Sequence, residues 1–564
     1  VKEIRFDGAE KTLSYNSENQ LVESVDFNGA TTRYTYADKN LVSVENADGS
    51  TTAYDYDSLH RIVKQTDGNG NVTEYSYDGA WLSEMKNPNG GINHYYYNVF
   101  GQLVTLVDAL NQTTRFVYDD AGRKVQQQTA DGAITKFEFD AAGNTVAITD
   151  ANDNKFTFEH DANGNILKAT DPYGNNTVYT YDGMNNRISE TDPSGKTVTH
   201  TYDCFANVLT TTDADGNTTT LAYNAAGKPI KITDPNGNET LYEYDTRFDK
   251  ISKVTNAVGG IQTITYDTVG NGVSTTAFDQ TTASYVYDSM QRVIKSTDAS
   301  GLQTTYTYDN NGNLLKAEDS TGRTTTYVYD SMNNVVSTTL PNGAVLSYEY
   351  DLLGRMVAAV DALNGRTTYT YNALSQLTST TDALGRSNSY EYDSIGNKLK
   401  YIAANNGEMS YQYDKLGHVT KVTDALGNYA SYTFDTSENM ASFTDVYGNT
   451  SSYEYNGRNL ITKIKDALDH TYSFTYDNNG NKVETTAPDG TKTLMEYDGL
   501  NRLIKLTDAA GLVTTYEYNT LGQLTAEKDN AGKNTRYSYD TAGRLSTIIN
   551  AIDQTVVYSY DERG

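Results

Sequence analysis

One aromatic position repeats through this chain at an almost constant step. The position of Tyr308 in Tyr308-Asp309, an aromatic followed by an acid or amide in every copy except Tyr36-Ala37, recurs in register 27 times between positions 15 and 560. Of the 26 intervals, 23 are 21 residues, two are 20 and one is 22. The occupant is Tyr except at Phe139, His160 and Phe434. Two residues earlier stands Tyr or Phe in 22 of the 27 copies, the exceptions being Leu13, His200, Leu221, Ile264 and Met495. A fixed period of this length is the mark of an array in which each unit is one small supersecondary element that stacks on its neighbours.

The spacing inside one unit indicates two strands and two turns. Thr304-Thr305-Tyr306-Thr307-Tyr308 alternates with period two in β-favouring residues and is predicted as a strand. Asp309-Asn310-Asn311-Gly312 is a turn, Leu314 to Glu318 a second strand, and Asp319-Ser320-Thr321-Gly322 a second turn. Four residues after the key aromatic stands Gly in 14 units and Asn in six, the two residues that take positive φ at least cost. Turn glycines are thus expected at Gly312, Gly354, Gly396, Gly417, Gly480, Gly522 and Gly543. Trp81 and Phe248 occupy that place in two units, which predicts a different turn there. Alternation places Tyr306 and Tyr308 on one face, Thr305 and Thr307 on the other. In the second strand it places Leu503 with Lys505, and Ile504 with Leu506. An aromatic ladder is expected along Tyr285, Tyr287, Tyr306, Tyr308, Tyr327, Tyr329, Tyr348 and Tyr350, its rings stacking across strands in place of an aliphatic core.

Composition narrows the function. Apolar residues are 37% of 564, and the 48 tyrosines are among them; without these the share is about 28%, well below the ~45–50% of ordinary domains. Several normal aliphatic cores are therefore not expected, and residues 1–564 are read as one continuous array of about 27 units. No apolar run is long enough for a membrane-spanning helix. A net charge of −29 argues against nucleic acid and anionic lipid as partners. Both ends fall inside a unit, which predicts contact with the remainder of a longer polypeptide or with identical subunits. Asn256 to Thr282, where Asp279-Gln280 lacks the turn glycine, is expected to be a bend or loop.

Units such as Tyr308-Asp309-Asn310-Asn311-Gly312-Asn313-Leu314 and Tyr539-Asp540-Thr541-Ala542-Gly543-Arg544-Leu545 resemble the YD repeats of the Rhs family over essentially the whole chain. The resemblance implies an all-β fold: tandem β-hairpins in a spiralling ribbon, closed into a hollow shell or solenoid. In bacterial Rhs and Tc toxins such a ribbon encloses a C-terminal toxic domain; in animal teneurins a similar shell belongs to an adhesion ectodomain. It implies a secreted or cell-surface scaffold. The family's Asp-Pro-x-Gly-rich closing signature, its self-cleaving aspartate site and a toxin domain are not expected within these 564 residues. The wall is matched; an enclosed toxin domain would be supplied from elsewhere.

No catalytic residue and no cofactor is assigned. His60, His94, His160, His200, His418 and His470 fall at scattered unit positions, and His160 and His200 replace strand aromatics. No nucleophile-elbow motif is present, and Cys204 sits in a turn without basic neighbours. Asp213, Asp215 and Asn217, with Asp150 to Asn154, are weak calcium candidates; turn geometry is the better explanation of their residue types. The alternative function is an extracellular structural or adhesive repeat protein, a fibre or a surface that stacks glycans on tyrosine, although Trp81 is the only tryptophan.

Overall fold

The computed structural model describes residues 1–5, 8–540 and 543–560. The turn residues Thr541 and Ala542, and the final Asp561 to Gly564, lie outside them. The described chain is all-β: 54 strands run from Lys2–Ile4 to Thr555–Val557. Each pairs antiparallel with the strand before and the strand after it, as Gln303–Tyr308 with Leu314–Asp319, and Leu314–Asp319 with Thr324–Tyr329. No described strand comes within 8 Å, Cα to Cα, of any strand but these two neighbours, and among the described residues no large side chain is fully buried as it would be between two packed sheet faces.

The two turns of a unit share one geometry. Asp309 N–H donates to the Asn313 carbonyl and Gly312 N–H to the Asp309 carbonyl. Asp309 Oδ1 accepts the N–H of Asn311 and of Asn313, at 2.9 and 2.8 Å. At the opposite edge Asp319 repeats the pattern with Thr321 and Arg323. The acid is therefore the acceptor around which the loop folds. Its fourth residue is left-handed: φ is +88° at Gly312 and +89° at Gly417. Asn185, Asn333 and Asn501 take the same place, and so do His60, Ala206 and Glu438. The two exceptional units do turn differently. A two-residue loop of Gly79 and Ala80 joins the strand ending at Asp78 to the one beginning at Trp81. Around Phe248 the loop is one residue longer, closing from Asp245 to Lys250 with Asp249 left-handed. The stretch Asn256 to Thr282 is no bend: Gln280 takes φ +70° and the ladder runs through it.

A β-bulge corrects the expected faces. Tyr497 pairs with Leu503, but Glu496 pairs with Lys505, so Ile504 is an extra residue. Cross-strand partners share a face, hence Leu503 lies on the tyrosine face with Leu506, and Lys505 lies opposite it with Glu496. Strict alternation fails because the bulge adds one residue to the second strand of the hairpin. The result is one aromatic and aliphatic face and one charged face. On the latter, Lys505 bonds Glu496 at 2.6 Å and Lys155 bonds Glu138 at 2.6 Å. Among the described residues the buried apolar ones, Ala147, Ala358 and Ala526, lie on this charged face, paired with Glu138, Glu349 and Glu517. Small side chains are covered there by the long ion pairs above them.

A one-layer wall has excess surface. A compact protein of 62.1 kDa exposes about 20,000 Å². This chain exposes 30,740 Å².

Candidate functional site: the wall and the seam between coils

The second tyrosine of each unit has a defined task. The bulge ends the ladder between successive units early: Lys316 pairs with Thr326, and no further pair follows toward Leu314. The Leu314 carbonyl is reached instead by the Tyr329 hydroxyl, which donates to it at 2.9 Å. The same bond, to the residue fifteen places earlier, recurs in 21 units at 2.5–3.0 Å. Each ring is partly covered, and burial pushes the Tyr308, Tyr329 and Tyr350 hydroxyls up from their usual pKa.

Ring-on-ring stacking is not what fills the ladder. Among the described residues the ring pairs are Trp81–Tyr97, His200–Tyr202, Phe248–Tyr266, Tyr390–Tyr401, His418–Phe434 and Tyr432–Phe443. None involves Tyr285, Tyr287, Tyr306, Tyr308, Tyr327, Tyr329, Tyr348 or Tyr350. Successive units are 21 residues apart with a second strand between them, which keeps their rings apart. Arginine takes part in that gap. Arg61, Arg123, Arg292, Arg355, Arg502 and Arg544, each next to a turn glycine or its substitute, lie 4.2–5.1 Å over the ring sixteen residues on. Each also bonds the aspartate of its own turn, as Arg355 Nε does Asp351 at 2.7 Å. Where Asn313 replaces arginine, its amide bonds Asp309 and Asn333.

The ribbon meets itself. Side chains at the turns form hydrogen bonds between residues 240–245 or 263 apart in the chain. Asn69 donates to Asp309 at 2.9 Å, and Asn311 donates to Asp67 at 2.7 Å. Asn152 donates to Asp393, Ser437 to Asp192, and Asn479 to Asp234. Arg292 bridges Asp48 and its own Asp288. In each case one edge of the ribbon, the turns after the second strand, lies against the other edge one coil later. A separation of 242 residues is about eleven and a half units, or about 23 strands. At ~4.8 Å per strand that is a coil of ~110 Å circumference and ~18 Å radius, too wide for side chains to fill. The fold is a hollow β-shell whose wall is one sheet thick.

Close approach at the seam is set by glycine. A Cβ on Gly68 would lie 2.5 Å from the Asn310 carbonyl oxygen, and one on Gly457 would lie 2.9 Å from the Ala214 backbone. Seam aspartates are good acceptors. Burial raises the Asp309 pKa, but bonds from Asn313 and Asn69 outweigh it and hold the carboxyl below the usual range. Asp393, Asp234 and Asp192 are held down in the same way, by asparagine or serine from both coils.

The weak calcium candidates are part of this seam. Asp215 accepts Gly457 N–H at 2.8 Å and Arg458 Nε at 3.2 Å, and Arg458 stands 3.5 Å from Asp213. Asn217 donates its amide to Asp213. A guanidinium thus occupies the space between these carboxylates, and among the described residues no group of three ligating side chains is assembled. Asp150 serves Asn152 and Asn154 as the turn acceptor. His418 stacks on Phe434 at 4.5 Å and pairs with Asp414 and Glu438. His200 bonds Thr211. Cys204 is exposed at a turn. The structure brings the tyrosines and turn residues together as a wall; sequence reasoning missed the seam, for which turn glycines outside the left-handed place, such as Gly68 and Gly457, were a local signal.

The Teneurin YD-shell family model matches residues 4–153, 230–363, 276–401 and 446–564, and the RHS Repeat model matches 139–176, 207–239 and 413–450. No curated protein matches. Among solved structures, a chain of TcdB2-TccC3 is similar over 98% of this chain at 15% identity, with a TM-score of 0.59. A chain of TcdB2-TccC3-TEV is similar over 95% at 12% identity, with a TM-score of 0.52. This chain spans only 38% and 43% of those two chains.

Proposed function

This chain belongs to the teneurin YD-shell family, and from that premise we propose that it is a container wall. In this reading it is the non-catalytic β-shell of a secreted or cell-surface Rhs-type toxin, and it encloses a cargo domain supplied by another segment or chain. The observation that carries the reading is the one-layer ribbon that fastens to itself about every 242 residues. A wall wetted on both sides, with no strand packed across it, suits enclosure better than it suits a fibre. The enclosed width, about 20–25 Å after side chains are subtracted from the ~18 Å backbone radius, takes a small or unfolded polypeptide. The side chains at the seam are occupied in holding coils together, which leaves the wall a passive role in chemistry.

Protease protection tests this. A small protease-sensitive domain is fused after residue 564 and the product is treated with protease. The expected result is that the fused domain survives far longer than the same domain alone. Digestion at the rate of the free domain would overturn the container reading, and capture of the same protein on immobilised glycans would support the adhesive one.

A further inference from the structure

Six units show what fills the corner between one hairpin and the next. The guanidiniums of Arg61, Arg123, Arg292, Arg355, Arg502 and Arg544 lie over the ring sixteen residues on. Each is held by the aspartate four residues before it, as Arg292 is by Asp288 and Arg502 by Asp498. An outer nitrogen donates to the carbonyl of the residue after that ring, at 2.8 Å from Arg123 to Asp140 and 3.2 Å from Arg502 to Asn519. The corner is thus a place for a guanidinium, made of a carboxylate, a ring face and a carbonyl.

One such place stands open inside the closed seam. In the unit of Tyr266 the residue at the arginine position is Asn271, whose amide stops at its own Asp267, 3.0 Å away. Asp267, Tyr287 and Asp288 then border a cleft of about 720 Å³, within the ~300–1,000 Å³ of small-molecule sites. In the units of Asn313, Asn397 and Asn481 a side chain of the other coil fills in: Asn69, Asn152 and Asn236 donate to Asp309, Asp393 and Asp477. Here the residue across the seam is Asn28, and among the described residues it bonds nothing on the other coil; its Oδ1 accepts Ala30 N–H within its own turn. The cleft lies between the contacts of Arg5 with Thr268 and of Arg292 with Asp48, so both of its walls belong to the closed seam.

The charge of the cleft suits a cation. Asp267 and Asp288 on one coil and Glu45 and Asp48 on the other are four carboxylates, against two guanidiniums, Arg33 and Arg292. Burial raises the Asp267 and Asp48 pKa, but bonds from Asn271 and Val269 to the first, and from Ser50 and Arg292 to the second, outweigh it and hold both carboxyls below the usual range. We propose that this cleft binds a guanidinium compound as the other units bind their own arginines: over the Tyr287 ring, against Asp267 and on the Asp288 carbonyl, with Asp48 and Glu45 of the other coil beside it. Carboxylates of both coils then share one cation, so the ligand ties the seam where Asn28 does not. A guanidinium is preferred to an ammonium because its planar fork serves ring, carboxylate and carbonyl together. The site lies in the wall and does not depend on what the lumen holds.

Titration calorimetry on the 564-residue chain tests the proposal. The probes are agmatine as a free guanidinium, a pentapeptide with one arginine among glycines as the same group on a polypeptide, and cadaverine as an ammonium of similar length. Agmatine is expected to bind at one site per chain, about tenfold or more tighter than cadaverine. N271R supplies the guanidinium from the chain itself, as the six units do, and is expected to weaken agmatine about tenfold or more. N186R, the same change in another unit, is expected to bind agmatine as the wild type does. Far-UV circular dichroism checks that each variant is folded. Uptake of the peptide assigns the site to an arginine side chain of a polypeptide, and uptake of agmatine alone assigns it to a free small molecule. A wild type that binds neither, that binds cadaverine equally well, or that N271R matches in agmatine binding overturns the proposal.

Discussion

A tyrosine hydroxyl that reaches back fifteen residues explains why this position is tyrosine and not simply aromatic. Tyr308 donates to the Val293 carbonyl at 2.7 Å, a group that lies beyond the last pair, Lys295 with Thr305, of the shortened ladder. Tyr308→Phe keeps the ring and loses that bond. It is expected to lower stability by about 1 kcal/mol, read from the urea midpoint. The chain already carries Phe139 and Phe434 in this place, so one loss is tolerated and several together are expected to add. Gly312→Val and Gly417→Val should cost more, about 1–3 kcal/mol each, because a β-branched residue is forced to φ near +88°. Unchanged thermal unfolding of both variants would contradict the turn geometry.

At the scale of the hairpin, strands and turns were legible because single residue types dictate them: aspartate as loop acceptor, glycine or asparagine at positive φ, threonine and tyrosine alternating. The faces were only half legible. The bulge between Glu496 and Tyr497 is set by backbone pairing, so Leu503 and Lys505 part company without any mark in their residue types. The arginine after the turn glycine was not legible as a connector either, since its ring partner lies sixteen residues away. Arg355 joins Asp351, the Tyr371 ring and the Asn372 carbonyl, and so ties one hairpin to the next. Arg355→Ala is expected to cost about 1–2 kcal/mol, and Arg355→Lys to recover less than half of it, because an ammonium cannot keep the planar fork. Urea unfolding of the two variants beside wild type checks the order.

At the scale of the molecule, the seam is the feature that a linear sequence hides, since its partners are 242 residues apart. Gly68→Ala places a methyl against the Asn310 carbonyl and is expected to part the coils locally. Small-angle scattering should report a larger particle while far-UV circular dichroism keeps its β signal. Acid acts more widely. Asp309, Asp393 and Asp234 have native pKa values below the usual 3.8, so their contribution to stability is complete above that value. It is lost as pH falls through the lowered native values. Turn aspartates such as Asp382 and Asp445 are lowered too, by asparagine or arginine four residues on. The urea midpoint is therefore expected to be flat from pH 7 to about 5 and to drop steeply below about 4. The seam also resembles a zip fastener, with teeth one repeat apart and partners fixed only by counting. Deleting residues 309–329 would leave a sound strip, yet every tooth above the cut would engage its neighbour's socket, so Asn69 would face the Asp330 loop in place of the Asp309 loop. Whole-repeat insertions and deletions thus edit the closure of the vessel while sparing the cloth it is made from.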